Sequence, residues 1–303
     1  MDEALVLVLL AAIWGASFLF IKVALDDVGP LTVVATRLTL GVAGVGVWVL
    51  KTRGRAGLRR MIAGVRVADA LLLAATASAI PFVLISEAET TISSSLAGIL
   101  NAAVPLLTAL IAFRVDPIGR LRGWRSAGLL VGFAGVALVA GSDVGGSTSG
   151  IVAMLGAVTL YAIGSHVAKL RFSTVDPLGV ALIQTATAAA MVLPVALVFD
   201  RPAHAPGLDT VGALVALGLG GTAFAFCLFY WLLARVGPQH TVAVTYLAPI
   251  FAIVYGAVIL DERLTATALV GAAVIIAGEL VTALPGRRRD DTTPVEALEE
   301  AVA

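Results

Sequence analysis

The chain has 303 residues, of which 59% are hydrophobic and 13% charged, with 20 basic and 20 acidic side chains in balance. Water-soluble domains carry roughly a quarter charged residues, so most of this surface does not face water, and a net charge of zero leaves no electrostatic footprint for nucleic acid. The single cysteine, Cys227, excludes an internal disulfide framework and a cysteine metal cluster.

A helix crossing the hydrocarbon core needs about 20 apolar residues. Runs of that size recur ten times, at 4–23, 31–50, 67–86, 90–113, 124–141, 151–168, 177–199, 210–234, 241–260 and 264–284. The first run follows Met1-Asp2-Glu3 rather than a basic n-region, so it reads as a retained span and not a signal peptide. The intervals are short and leave no room for a sizeable soluble domain. Beyond Pro285 a polar tail opens on Arg287-Arg288-Arg289-Asp290-Asp291, with too little apolar content to form a core.

The connections alternate in charge. Lys51, Arg53, Arg55, Arg59, Arg60 and Arg66 follow the second run, and Arg114, Arg120, Arg122 and Arg125 surround the fourth-to-fifth connection. Lys169 and Arg171, Arg235 and the tail arginines continue the series. The opposite set is acidic or neutral: Asp26-Asp27, Glu87 and Glu89, Asp143, Asp200 and Asp209, Asp261-Glu262. The positive-inside rule then puts both termini in the cytoplasm, with the protein in the cytoplasmic membrane.

The chain also repeats itself. An offset of 147 sets Trp14 on Tyr161, Lys22 on Lys169 and Pro30 on Pro177; an offset of 144 sets Pro105 on Pro249; an offset of 143 sets Gly128 on Gly271 and Gly135 on Gly278. Five spans per repeat is an odd number, so the second copy enters upside down relative to the first. The expected fold is therefore an all-α integral membrane protein of ten transmembrane helices, built as two inverted five-helix repeats, 1–143 and 144–284, with a disordered tail at 285–303. Inverted repeats of this kind build secondary transporters, with the solute near the midplane at the repeat interface.

Within this repeat, Ala12-Ile13-Trp14-Gly15-Ala16-Ser17-Phe18 with Lys22 resembles the opening of EamA-type members of the drug/metabolite transporter superfamily. The stretch from Ile92-Ser93-Ser94-Ser95 through Asn101 to Pro105 is similar to that family's fourth helix, and Pro249 through Asp261-Glu262-Arg263-Leu264 to Gly271 to its ninth-helix ending. One departure is clear: the first repeat has Ile118-Gly119-Arg120-Leu121 where the second has Glu262-Arg263-Leu264. The resemblance implies export of amino acids or other metabolites through a central cavity lined by the first, third, fourth, sixth, eighth and ninth helices.

Several residues are candidates for that work. Pro105 lacks an N–H and leaves the Asn101 carbonyl without its helical partner; Pro249 does the same for Thr245. Non-helical backbone at membrane depth survives only where protein or water satisfies it, so Asn101 and Thr245 either flank a solute site or mark plain packing kinks. Trp14 and Tyr161 are repeat mates, with Ser17 and Ser165 about one turn beyond them. Aromatics with a polar tip suit a cavity wall, to which Tyr246 and Tyr230 would add. Arg37 is the one cation well inside a span. It must find a partner or water, through Glu87, Glu89, Asp26 or Asp27, through a solute carboxylate, or by snorkelling to the outer surface. Glu89, His166 and Glu279 are candidate proton carriers.

Other functions fit less well. His166, His204 and His240 occur singly, so no metal ligand pair at helical spacing points to an intramembrane enzyme. Gly145-Gly146 lacks the Gly-Lys-Ser/Thr of a phosphate loop, so ATP is not implied. No cofactor and no metal are expected. The expected partners are a small-molecule solute and the lipid bilayer, with a homodimer left open; a broad multidrug exporter is the nearest rival reading.

Overall fold

The computed structural model describes residues 2–115, 124–142 and 147–283. Ten helical segments follow in chain order: α1 (Glu3–Ala24), α2 (Pro30–Ile62), α3 (Val67–Glu89), α4 (Ser94–Ala112), α5 (Trp124–Ala140), α6 (Thr148–Arg171), α7 (Pro177–Phe199), α8 (Leu208–Gly237), α9 (Ala243–Ile259) and α10 (Ala266–Ala283). Eight are long and apolar enough to cross a membrane, and α5 and α9 are shorter apolar helices. No strand occurs among the described residues. The Ile118-Gly119-Arg120-Leu121 stretch, Arg122, Asp143, Gly145-Gly146, the 143/144 boundary and the tail from residue 284 lie outside the described residues.

Four helices start at a side-chain cap. Asp2 accepts from the Ala4 N–H, Ser93 from Leu96, Ser147 from Ser149 and Asp176 from Leu178. Pro30 and Pro177 open α2 and α7, where a missing N–H costs nothing. Three boundaries differ from those the apolar runs suggest. α2 continues past residue 50 to Ile62, with a break at Gly54, whose φ of 65° is open to glycine at no steric cost. α3 keeps its helix through Glu89, so the fourth span begins at Ser94 rather than residue 90. Glu89, grouped with the loop acids by position alone, is thus in a helix and fully buried.

Besides the break at Gly54, three interruptions mark the bundle. α4 breaks at Ala102-Ala103, whose N–H groups turn back to the Ile99 and Leu100 carbonyls, and Pro105 sits just past the break. α9, by contrast, runs through Pro249 without a break. α3 and α8 each widen into π-helical turns, at Ala75–Ala79 and Ala216–Phe224; such turns free backbone groups inside a helix and often sit at functional positions.

Packing relies on close backbone approach. α5 and α10 meet along glycines: a Cβ at Gly278 would lie 2.4 Å from the Gly132 nitrogen and 2.6 Å from the Gly128 carbonyl. α1 lies on α9, where a Cβ at Gly15 would come within 2.7 Å of the Ala248 carbonyl. α2 packs along α7 and the wide turn of α8, and the second half of α3 packs along α6. Small residues at helix contacts are the usual route to tight packing where no hydrophobic effect drives helices together. Large apolar side chains such as Leu130, Val152, Val198 and Val258 point outward, as a lipid-facing surface requires.

Candidate functional site

A cluster of buried polar groups lies among α1, α2, α3, α6 and α8. Arg37 of α2 is buried, its Nε donates to Thr222 Oγ1 at 3.0 Å, and its guanidinium sits over the Phe82 ring, 4.1 Å from the centroid. Phe82 in turn meets Tyr161 edge-on, with ring centroids 6.3 Å apart. Thr222 belongs to the wide turn of α8 and donates its own hydroxyl to the Leu217 carbonyl five residues back. Snorkelling is therefore not the fate of Arg37: the interior satisfies it, and the wide turn delivers the acceptor.

The carboxylates proposed as partners of Arg37 go elsewhere or stay unpaired. Asp26 and Glu87 are exposed, and Asp27 is engaged at α8. Glu89 is fully buried, neither carboxylate oxygen has a hydrogen-bond partner, and Lys22 and Arg37 are both near enough to feel its charge. Lys22 does not pair with it directly. Its Nζ donates to the backbone carbonyls of Glu89 at 2.6 Å and Ile92 at 3.1 Å, tying α1 to the α3–α4 turn. Arg37 makes no ion pair within 4.0 Å among the described residues. A buried arginine and a buried carboxyl thus share one neighbourhood without closing on each other.

At the end of the bundle where α1, α7 and α9 finish, three carboxylates each reach the start of a helix in the other half of the chain. Asp27 accepts from the Gly207 N–H and the Thr210 hydroxyl, both at 2.7 Å, at the start of α8. Asp200 accepts from the Thr32 N–H at 2.9 Å at the start of α2, while the Thr32 hydroxyl donates back to the Asp200 carbonyl. Glu262 accepts from the Ser94 N–H at 2.7 Å, the Ser95 N–H at 2.9 Å and the Ser95 hydroxyl at 2.5 Å at the start of α4. Helix starts carry unpaired N–H groups and partial positive charge, so a carboxylate there is doubly favoured. The two hydrogen bonds from Thr210 and Gly207 hold the Asp27 carboxyl below its ordinary range.

The opposite end is built differently. There Arg53 lies 4.0 Å from Asp176 and Arg171 lies 3.6 Å from Asp69, both pairs partly exposed. Between them a cavity of about 630 Å³ opens, lined by the α2–α3 and α6–α7 junctions.

The remaining sequence candidates are dispersed. Trp14 stacks on Phe229 of α8, centroids 5.5 Å apart and tilted by 37°, and Phe229 meets Tyr230 at 5.3 Å, forming an aromatic wall between α1 and α8. Ser17 is buried beside it, donating to the Ile13 carbonyl. Asn101 ends the first half of α4, and its buried Oδ1 has no partner. Thr245 and Ser165 spend their hydroxyls on carbonyls of their own helices, at Val242 and Ala162, and Ser165 is exposed. Tyr246 is half-buried, within electrostatic reach of Glu279, which is buried with both oxygens unpartnered. His166 is half-buried with Nδ1 2.9 Å from the Ala162 carbonyl. Among the described residues no three His, Cys, Asp or Glu side chains come together as metal ligands do. Thr222, Phe82 and Phe229 are site residues that the sequence reading missed; in the sequence Asp200 groups with the loop acids, Asp27 is a candidate only as a partner of Arg37, and the serines at the α4 start stand only as part of the fourth-helix motif.

A family model described as the EamA-like transporter family matches the chain twice, at residues 3–141 and 148–284. A protein of Streptantibioticus cattleyicolor named as a probable terminal-alkyne amino-acid exporter is 29% identical over 301 residues, covering 95% of this chain and 96% of that protein. The uncharacterized transporter YoaV of Bacillus subtilis is 21% identical over 283 residues, covering 91% and 95%. A solved crystal structure superposes with a TM-score of 0.68 at 23% identity, covering 95% of this chain and 98% of the other, a likeness of fold.

Proposed function

The chain belongs to the EamA-like transporter family and is a multi-pass membrane transporter, and from that premise we propose that it exports amino acids or related small metabolites by alternating access between two inverted halves. The observation that carries this reading is the contrast between the ends. One end is fastened by three carboxylates that each cross from one half of the chain to the other. Among the described residues the other end is joined by long, partly exposed ion pairs instead. A rocking transporter needs such an asymmetry in any one state. Two matches of one family model, in tandem, support the repeat. So does the packing: α2 lies on the wide turn of α8, and in the swapped relation α7 lies on the wide turn of α3.

Amino acids fit this pair of groups. A zwitterion presents a carboxylate to Arg37 and an ammonium to Glu89, two buried groups that make no ion pair with each other here. Phe82, Tyr161 and Thr222 frame that position, and the Trp14–Phe229 wall supplies apolar contact for a side chain. The relative named as an amino-acid exporter adds weight to this choice. The acid-fastened end is assigned to the outside and the arginine-rich end to the cytoplasm by the charge rule. His166 and Glu279 stay outside this mechanism. Asn101, with its unpartnered Oδ1 at the break in α4, is the further polar group offered to the solute.

The test is counterflow in liposomes with labelled amino acids, the corresponding decarboxylated amines and cationic drugs, with and without a pH gradient. Saturable exchange of amino acids that is lost in Arg37→Leu and Glu89→Gln, with amines failing to compete, is the expected result. Exchange of cationic drugs instead, indifferent to Arg37, overturns the amino-acid assignment in favour of a multidrug exporter.

A further inference from the structure

The cavity at the arginine-rich end takes no part in the pathway described above: its lining comes from the α2–α3 and α6–α7 junctions, and none of Trp14, Asn101, Arg37 or Thr245 borders it. Four arginines, Arg53, Arg60, Arg66 and Arg171, face it with two aspartates, Asp69 and Asp176, leaving a net charge of +2. The two aspartates are taken, by Arg171 at 3.6 Å and Arg53 at 4.0 Å. Arg60 and Arg66 have no carboxylate partner among the described residues. The Arg60 Nε has only a 3.4 Å contact to the Ala56 carbonyl of its own helix. Four guanidinium groups around one concave site are a poor match for water alone and a good match for a phosphate, whose oxygens take paired N–H donors.

The position of the cavity selects the source of that phosphate. Ile62, Val67 and Leu170, next to the lining in sequence, are exposed apolar side chains. The site therefore lies where helices leave the hydrocarbon, with charged side chains in its lining and exposed apolar side chains adjoining it in sequence. Basic pockets between transmembrane helices at the cytoplasmic surface suit anionic lipid headgroups. We propose that this cavity binds the phosphate of an anionic phospholipid headgroup, held chiefly by Arg60 and Arg66, with Arg53 and Arg171 shared between that phosphate and their aspartates.

The test uses the full chain in neutral micelles, with phosphatidylglycerol, phosphatidylcholine and inorganic phosphate as probes. Native mass spectrometry counts retained lipid, and the thermal unfolding midpoint reports stabilisation. The proposal expects phosphatidylglycerol to be retained and to raise the midpoint, and phosphatidylcholine to do neither. The double variant Arg60→Gln/Arg66→Gln loses about 30-fold in affinity, at roughly one surface charge's worth of attraction per arginine. Arg201→Gln, an exposed arginine at the far end of α7, leaves binding unchanged. Both arginines of the double variant are exposed, and an unchanged midpoint without lipid shows that it still folds. Equal effects of the two lipids, or full binding by the double variant, overturn the site. Protection by millimolar inorganic phosphate equal to that of phosphatidylglycerol overturns the lipid as its source.

Discussion

Glu262 is the fastening whose removal is easiest to work out. It receives three hydrogen bonds at the first turn of α4, from the Ser94 and Ser95 N–H groups and the Ser95 hydroxyl. Bonds to a charged acceptor contribute roughly 1.5–3 kcal/mol each when buried. The side chain is only half-buried, so about 1 kcal/mol per bond is the fair figure, or about 3 kcal/mol in all. Glu262→Ala should then shift the local closed-to-open equilibrium by roughly 100-fold. Glu262→Gln keeps a carbonyl oxygen for one N–H but loses the charge at the helix start, so it should fall midway. Hydrogen–deuterium exchange on the reconstituted protein reads this directly. Amides at the start of α4 should exchange fastest in the alanine variant, intermediate in the glutamine variant and slowest in the native chain, while α5 and α10 stay unaffected. Unchanged exchange at the α4 start in Glu262→Ala refutes the clamp; glutamine behaving as alanine refutes the part assigned to charge.

Other perturbations test separate pieces. Because hydrogen bonds from Thr210 and Gly207 lower the Asp27 carboxyl from its ordinary value, the Asp27 contact with the α8 start should persist at mildly acidic pH. Its contribution is full above the ordinary carboxylate range and is lost only as pH falls through the lowered folded value; exchange at residues 207–212 measured from pH 7 downward should show that loss, and Asp27→Asn should abolish the pH dependence. Thr222→Val strips the acceptor from buried Arg37 and should cost about 1–3 kcal/mol of stability, seen as a lower thermal midpoint, whereas Thr222→Ser should stay near the native value. Gly278→Ala places a Cβ against the Gly132 and Gly128 backbone, so α5 and α10 must separate and the midpoint should drop; Gly46→Ala, with nothing within 4 Å, is the control, and equal behaviour of the two would contradict the packing account.

The ten helices were legible because the bilayer imposes a length, and an uninterrupted apolar run of that length leaves few alternatives. The clamps were not. Asp27 and Asp200 look like ordinary loop acids in the sequence, Glu262 is marked there only as part of a motif, and their partners lie 167 to 183 positions away. Arg37 shows the same limit from within a helix. Snorkelling was open to it by position, but the acceptor that holds it comes from the wide turn of α8, 185 positions along the chain. Ser165 lies one turn past Tyr161, yet its hydroxyl turns back to the Ala162 carbonyl and the residue is exposed. Pro105 and Pro249 carry the same sequence mark and meet different ends, an interrupted helix and a continuous one; nothing in the structure accounts for the difference.

The 147-residue offset that aligns Pro30 with Pro177 also aligns Asp200 with Arg53 and Asp27 with Thr174. At one end, then, the position following a long helix carries a carboxylate aimed at the start of a helix in the other half, and the Asp200 contact with Thr32 is a direct hydrogen bond. At the other end the equivalent position is an arginine. An arginine cannot accept from helix N–H groups and is repelled by their partial positive charge. The start of α7 is capped instead by its own Asp176, which accepts from the Leu178 N–H, and Arg53 reaches only that aspartate, at 4.0 Å and partly exposed. Such pairs contribute little. Two halves related by an offset would fasten equally well at both ends if their junction residues matched. In the proposed rocking motion, the exchange of Asp200 for Arg53 removes one such fastening from the basic end, and together with the Asp27 and Glu262 contacts it favours the state in which the acidic end is closed.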